Sequence, residues 1–306
     1  MKNLLSTISL FACMLFCVVS CKKENTEQHY GKYPILFSSS YETKATANVS
    51  DIQKNGFKVF AFYQANGNDL NFEKSVTYNE EQGFFDYEGV EYWISGATYW
   101  FKAVYPKELT YTIDNSTKDQ RLTISNFDIT SQQDILVAET ADLEVDSEIQ
   151  APATGSIVTL QFQHLLANVV VKIKAEVNVT INDITLKYIP VKGTYNNGLW
   201  VDYSEQGNIE KVGINKSLSS SSNEYHDVTD GGFLVFPNSS VDGSQHLYIR
   251  TSDKTYDLPL PSTPNKWVAG NRYTYTLVIK QNDILFDEPT VEEWDEENAT
   301  GSVVIK

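Results

Sequence analysis

The chain of 306 residues holds four histidines, three cysteines and 40 carboxylates, the side chains with the widest chemistry. His29, His164, His226 and His246 are dispersed, with no His-Glu-x-x-His pair and no metal-ligand spacing. No Gly-x-Ser-x-Gly elbow offers an activated serine, and Gly231-Gly232 reads as a turn at a strand entry, not a phosphate loop. A glycosidase needs two carboxylates facing across a cleft, and nothing in linear order pairs them. The acidic stretches 142–148 and 283–297 lack the spacing of a calcium loop and read as solvated surface. His164, set between apolar residues, reads as a hydrogen-bonded core or interface histidine. An enzyme is therefore not expected, and no cofactor or metal is implied.

The cysteines carry a different chemistry. Cys13, Cys17 and Cys21 all lie at the start of the chain, so the remainder has no disulfide and no thiolate metal site. Lys2 precedes a short apolar run from Leu4 to Val19, too short to span a bilayer comfortably, which ends in Val18-Val19-Ser20-Cys21. This resembles the lipobox of bacterial lipoprotein signal peptides. The resemblance implies cleavage between Ser20 and Cys21 and acylation of Cys21, with several chains giving stable membrane attachment. Lys22 follows the cysteine where an aspartate would signal inner-membrane retention, so the outer membrane is the expected address.

Lys and Arg number 24 against 40 Asp and Glu, a net charge of −16. Arg121, Arg250 and Arg272 are the only arginines. Phosphate binding needs clustered basic residues, so nucleic acid is not a partner. Hydrophobic residues make up 41% and charged residues 21%, which marks an ordinary folded protein, and the length suits two domains.

Abundant aromatic residues, Thr and Val favour strands. Short apolar runs recur every 8–14 residues with turn chemistry between them, and no long amphipathic helix is present. Residues 33–37 (Tyr-Pro-Ile-Leu-Phe) form the first strand-like run, with Tyr33, Ile35, Leu36 and Phe37 as its apolar members. Residues 51–55 suit one helical turn capped by Ser50 and ended by Gly56. Alternation puts Tyr99, Phe101, Ala103 and Tyr105 on one sheet face. Residues 165–177 are ambiguous between helix and strand, with the valine run favouring strand. Ala151-Pro152-Ala153-Thr154-Gly155 is the best linker. The reading is all-β: signal peptide 1–20, tether 21–32, an N-terminal β-sandwich over 33–152 and a C-terminal β-sandwich over 157–306.

Several of these runs also resemble one family. They are Tyr-Trp-Phe-Lys-Ala-Val-Tyr-Pro from Tyr99, Asp-Ile-Leu-Val-Ala from Asp134, Leu-Gln-Phe-Gln-His-Leu-Leu-Ala from Leu160, and Phe-Leu-Val-Phe-Pro from Phe233. Trp-Val-Ala-Gly-Asn-Arg-Tyr-Thr-Tyr from Trp267 and Val-Glu-Glu-Trp from Val291 complete the set. Each is weak alone. In this order behind a lipobox they resemble the fimbrillin-like proteins, subunits of type V pili, over most of the mature chain. The resemblance implies two tandem sandwiches of transthyretin-like topology and assembly by β-strand exchange. In the family so resembled, a protease often removes the lipidated segment with the first strand, and the C-terminal segment of another subunit fills the groove.

The resemblance places processing between Lys44 and Ala45, where many members carry Arg-Ala. Lys44 departs from that pattern, and an uncut chain would keep its lipid as an anchor, while a cut one would be a shaft or tip subunit. Val303, Val304 and Ile305 are the candidate donor strand. The implied partners are other fimbrial subunits, the outer membrane through the lipid on Cys21, and a host or bacterial surface receptor. The alternative is a non-polymerising surface lipoprotein that binds glycan through loop aromatics such as Trp200 and Tyr203.

Overall fold

The computed structural model describes residues 33–40, 49–145, 157–237, 239–294 and 303–304. The expected signal peptide, the tether, Cys21, the Lys44-Ala45 processing point, the linker 151–155 and Ile305 lie outside these residues. In chain order the first half runs β1 (Leu36–Ser40), α1 (Val49–Asn55), β2 (Phe57–Ala65), β3 (Asn68–Asn79), β4 (Phe84–Asp86), β5 (Thr98–Tyr105), β6 (Thr112–Asp114), β7 (Arg121–Asp128), a 3-10 turn (Ile129–Ser131), β8 (Leu136–Glu144) and β9 (Ile157–His164). The second half runs β10 (Ala167–Ala175), β11 (Val179–Asn196), β12 (Leu199–Lys211), β13 (Lys216–Leu218), β14 (His226–Asp227), β15 (Phe233–Val235), β16 (His246–Thr251), β17 (Thr255–Pro259), β18 (Asn271–Ile279), β19 (Ile284–Phe286), β20 (Thr290–Glu293) and β21 (Val303–Val304). The all-β expectation holds.

Seven strands close a barrel in the order β1-β4-β3-β2-β5-β8-β9. Two further sheets follow. One runs β14-β10-β18-β20-β21, with β15 on β10 and β19 on β18. The other runs β17-β16-β11-β7-β6, with β12 and β13 on β11. These two sheets share one core. Val169, Val171 and Ile173 of β10 and Tyr275 and Leu277 of β18 meet Ile181 and Leu186 of β11 and Leu247 and Ile249 of β16.

Strand patterning explains the placement. β9 alternates strictly between exposed and buried residues, which suits a barrel wall with one wet face. β10 is buried at five consecutive positions, which suits a central strand covered on both faces. β5 is also buried on both faces. Tyr99, Phe101 and Ala103 point into the barrel as expected, with Tyr105 packed against the same cluster. Val104, on the opposite face, joins Phe60 and Val137 in the second core. On that face Lys102 is buried, with its ammonium 2.9 Å from Glu139.

The partition of strands differs from the sequence reading. β9, the first strand of the expected C-terminal unit, pairs with β1 and β8, and Val158, Leu160 and Phe162 fill the barrel core. β6 and β7, inside the expected N-terminal unit, leave the barrel, and β7 pairs with β11. Leu122, Ile124 and Phe127 then pack in the second core. The chain crosses between the two cores at Leu165-Leu166, after β9. The helix also starts earlier than expected, so Ser50 lies inside it and does not cap it.

Candidate functional site

The first strand is held from both sides. β1 pairs antiparallel with β4 at Phe37↔Phe85 and parallel with β9 from Leu36↔Ile157 to Ser40↔Gln161. Ahead of it, the Ile35 amide donates to the Glu91 carbonyl at 2.9 Å, and the Trp93 amide donates to the Tyr33 carbonyl at 3.0 Å. Tyr87 spans the junction: its hydroxyl donates to the Ile35 carbonyl at 2.8 Å and accepts from the Glu91 amide at 3.3 Å. Burial pushes the Tyr87 hydroxyl well above its ordinary pKa, so it remains a donor at any physiological pH.

The apolar members differ in burial. Ile35 and Phe37 are fully buried, Leu36 is half-buried and Tyr33 is exposed. The Phe37 ring meets Phe101 edge-on at 5.5 Å and Tyr87 at 5.9 Å. The barrel core around them is dense in aromatic rings, including Phe57, Phe85 and Phe162. Burying a side chain such as Phe or Ile contributes about 1.5–3 kcal/mol. β1 and the Ile35 that precedes it thus combine main-chain pairing with two anchors, and taking this segment away would leave two unpaired edges flanking an apolar bed.

At the other end of the chain, Val303 and Val304 form β21, which pairs with Val291 and Thr290 at the edge of the second sheet. Trp294, directly after β20, is buried. Its amide donates to the Gly270 carbonyl at 2.8 Å, and its indole stacks on the His164 imidazole. His164 is buried as expected. Its Nδ1 lies 2.6 Å from an Asp134 carboxylate oxygen, but neither ring nitrogen makes an aligned hydrogen bond within the protein. The contact is one of proximity.

The loop aromatics are not a sugar platform. Trp200 is 6% exposed, and its indole N–H donates to the Leu165 carbonyl at 2.7 Å. The Tyr203 hydroxyl donates to the Pro237 carbonyl. Both pack around Phe236 in the second core. The sequence reading missed the partners of β1: Tyr87, Glu91 and Trp93 on one side and β9 on the other. The one-sided alternation of β9 was the available signal, since a strand so patterned belongs in a wall with one solvated face.

A closed barrel that includes β1, followed by a β-sandwich with a two-residue edge strand, makes an all-β protein. The fimbrillin-like family model matches residues 43–294, and the chain belongs to that family. It is accordingly a structural protein and not an enzyme. Among solved structures, one described as a cell adhesion protein of Bacteroides uniformis is 18% identical, with TM-score 0.52 over 86% of this chain and 98% of its own. Another, described as a cell adhesion protein of Bacteroides ovatus, is 15% identical, with TM-score 0.54 over 87% of this chain and 99% of its own. At these identities the likeness is one of fold. No curated protein matches the chain.

Proposed function

We propose that this chain is a cell-surface fimbrial subunit with an adhesive role, joined to its neighbours by strand exchange. The observation that carries the reading is the position of β1. A strand from the start of the chain is seated between β4 and β9, with Ile35 and Phe37 in the core. Family membership and the adhesion proteins of like fold support the same reading. An incoming strand could take over both ladders and both apolar positions, the physics of β-augmentation.

The donor in this reading is the C-terminal segment containing Val303, Val304 and Ile305. The described pair is attached at an edge through two residues, a short ladder compared with that of β1. Acylation of Cys21 would hold the chain on the outer membrane. Lys44 stands where many members carry arginine, so the reading inclines to an uncut chain that keeps β1 and its lipid and anchors a filament. Cleavage before Ala45 would instead give a shaft or tip subunit.

The test is made on surface-isolated protein. Mass spectrometry should find acylated Cys21 as the first residue, and deleting 301–306 should abolish incorporation into filaments seen by electron microscopy. Ala45 as the first residue rejects the anchor role and leaves strand exchange standing. Unchanged incorporation of the truncated chain rejects the C-terminal donor. Equal lipid labelling of Cys21→Ser and the parent chain rejects the lipid anchor.

A further inference from the structure

The outer face of the sandwich carries a backbone outlier. Eleven described non-glycine residues have positive φ; ten are Asn, Asp, Gln or Glu, and the other is Tyr188 at 59°. Asn and Asp tolerate that region because their short side chains bond locally to the backbone, whereas a bulky aromatic residue there is a strained outlier. Tyr188 sits in a β-bulge between Lys187↔Asn208 and Ile189↔Gly207, and its amide faces the Asn208 side-chain oxygen at 3.4 Å.

The bulge has a geometric consequence. Leu186 and Ile189 are both buried, and the extra residue lets both reach the core. Lys187 and Tyr188, consecutive in sequence, therefore reach the same outer face. There Lys187 Nζ lies 3.8 Å from the Tyr248 ring centroid, and the Tyr188 ring meets His246 edge-on at 5.4 Å. Tyr248 and His246 are two apart on β16, on the face opposite buried Leu247. A glycine or asparagine would fill the bulge without strain. Here a tyrosine does so, with 50% of its surface in solvent.

The neighbours are polar and mutually fixed. One Asp257 carboxylate oxygen is 2.7 Å from His246 Nδ1, and the other is 3.4 Å from Lys187 Nζ. The Asp257 side chain remains 45% exposed, so its oxygens can accept further hydrogen bonds. Lys187 and Asp257 offset each other in charge. An apolar peptide or lipid laid here would desolvate that pair without replacing its water. A phosphate would face the Asp257 carboxylate. A neutral sugar meets both demands: its C–H face stacks on an aromatic ring, and its hydroxyls donate to the carboxylate and accept from the ammonium.

We infer that Tyr188, Lys187, His246 and Asp257 form a binding platform for a neutral, hydroxyl-rich glycan on the outer face of the sandwich. Tyr188 is its stacking ring and Asp257 its main hydroxyl acceptor. The platform shares no residue with β1 or the C-terminal segment, so its test is independent of strand exchange.

The test is affinity electrophoresis of the full chain through native gels cast with dextran, yeast mannan or arabinogalactan, with hyaluronan and casein gels as acidic and protein comparisons. At least one neutral polysaccharide should retard the parent chain. Tyr188→Gly removes the ring while suiting the positive φ. It should weaken retardation by about tenfold or more in apparent affinity, with a thermal midpoint equal to or above the parent's. Asp257→Asn should weaken retardation in the same gels. No retardation in any neutral gel, retardation confined to hyaluronan or casein, or undiminished retardation of Tyr188→Gly would each overturn the assignment.

Discussion

The indole of Trp294 lies 3.7 Å from the imidazole of His164, with the two ring planes 15° apart. His164 ends β9, the strand that flanks β1, and Trp294 directly follows β20, the strand that carries β21. The stack thus joins the wall beside the first strand to the base of the C-terminal segment. Replacing a buried tryptophan by alanine typically costs about 3–5 kcal/mol. We expect Trp294→Ala to lower the unfolding free energy read from urea titration by that order, with Trp294→Phe much milder. A double-mutant cycle with His164→Ala should show a coupling of about 0.5–1.5 kcal/mol. Additive single and double variants would show that the stack is mere proximity.

Phe37 and Leu36 are neighbours on one strand with different surroundings. Phe37 is fully buried against Phe101 and Tyr87, and Leu36 is half-buried. Phe37→Ala should cost about 3–5 kcal/mol. Leu36→Ala should cost clearly less, measured on chains that retain β1. Equal losses would mean that β1 is not seated in the register described.

Much of this arrangement is legible in residue order. Tyr99, Phe101 and Ala103 alternate into the barrel because a strand has a period of two, and Gly56 ends α1 as a glycine should. Where the cores divide is harder to read, since pairing between distant strands leaves no local mark. Residues 151–155 have the composition of a linker, yet β9 beyond them returns to the barrel. β6 and β7 look like any hairpin of the first unit, yet β7 joins β11, and Thr123 lies opposite Asn196. Trp200 misleads in the other direction, because a tryptophan beside Asn-Asn-Gly looks like a loop aromatic and is in fact core. Tyr188 carries no sequence signal, since only the backbone reveals that a tyrosine occupies a position suited to glycine or asparagine.

Gly56 illustrates a close approach that no other residue can make. Its φ is 69°, and a Cβ built on it would lie 2.1 Å from the Val76 carbonyl oxygen. Its amide donates to the Ile52 carbonyl at 2.8 Å, closing the helix directly before β2 begins. Gly56→Ala combines backbone strain with a clash against main chain, so it should destabilise by more than about 1 kcal/mol. Gly67→Ala is the control: it shares a positive φ of 76° but meets nothing within 4 Å. Thermal unfolding of the two variants should place Gly56→Ala clearly lower. Matching midpoints would show that β3 yields locally and that the approach is not a constraint.

The tyrosines predict behaviour in alkali. Tyr203 and Tyr275 are pushed up to about 12 from an ordinary value of 10.0, chiefly by burial. Tyr225 is also raised to about 12, chiefly because its hydroxyl donates to Asp287 at 2.6 Å. A raised folded value means that between pH 10 and about 12 the folded chain holds protons that the unfolded chain has released. The corresponding stability is complete below pH 10 and is lost as pH rises through about 12. Tyrosinate absorbance should therefore show a late-titrating group, and urea midpoints should fall across that window. Tyr275→Phe should flatten the fall, because a buried ring without a hydroxyl has no proton to lose. Asp287→Asn should move the Tyr225 titration down toward its ordinary value, since the neighbouring negative charge is removed. A single tyrosine transition near pH 10 in a chain that stays folded would refute the burial of Tyr275 and Tyr203 as described.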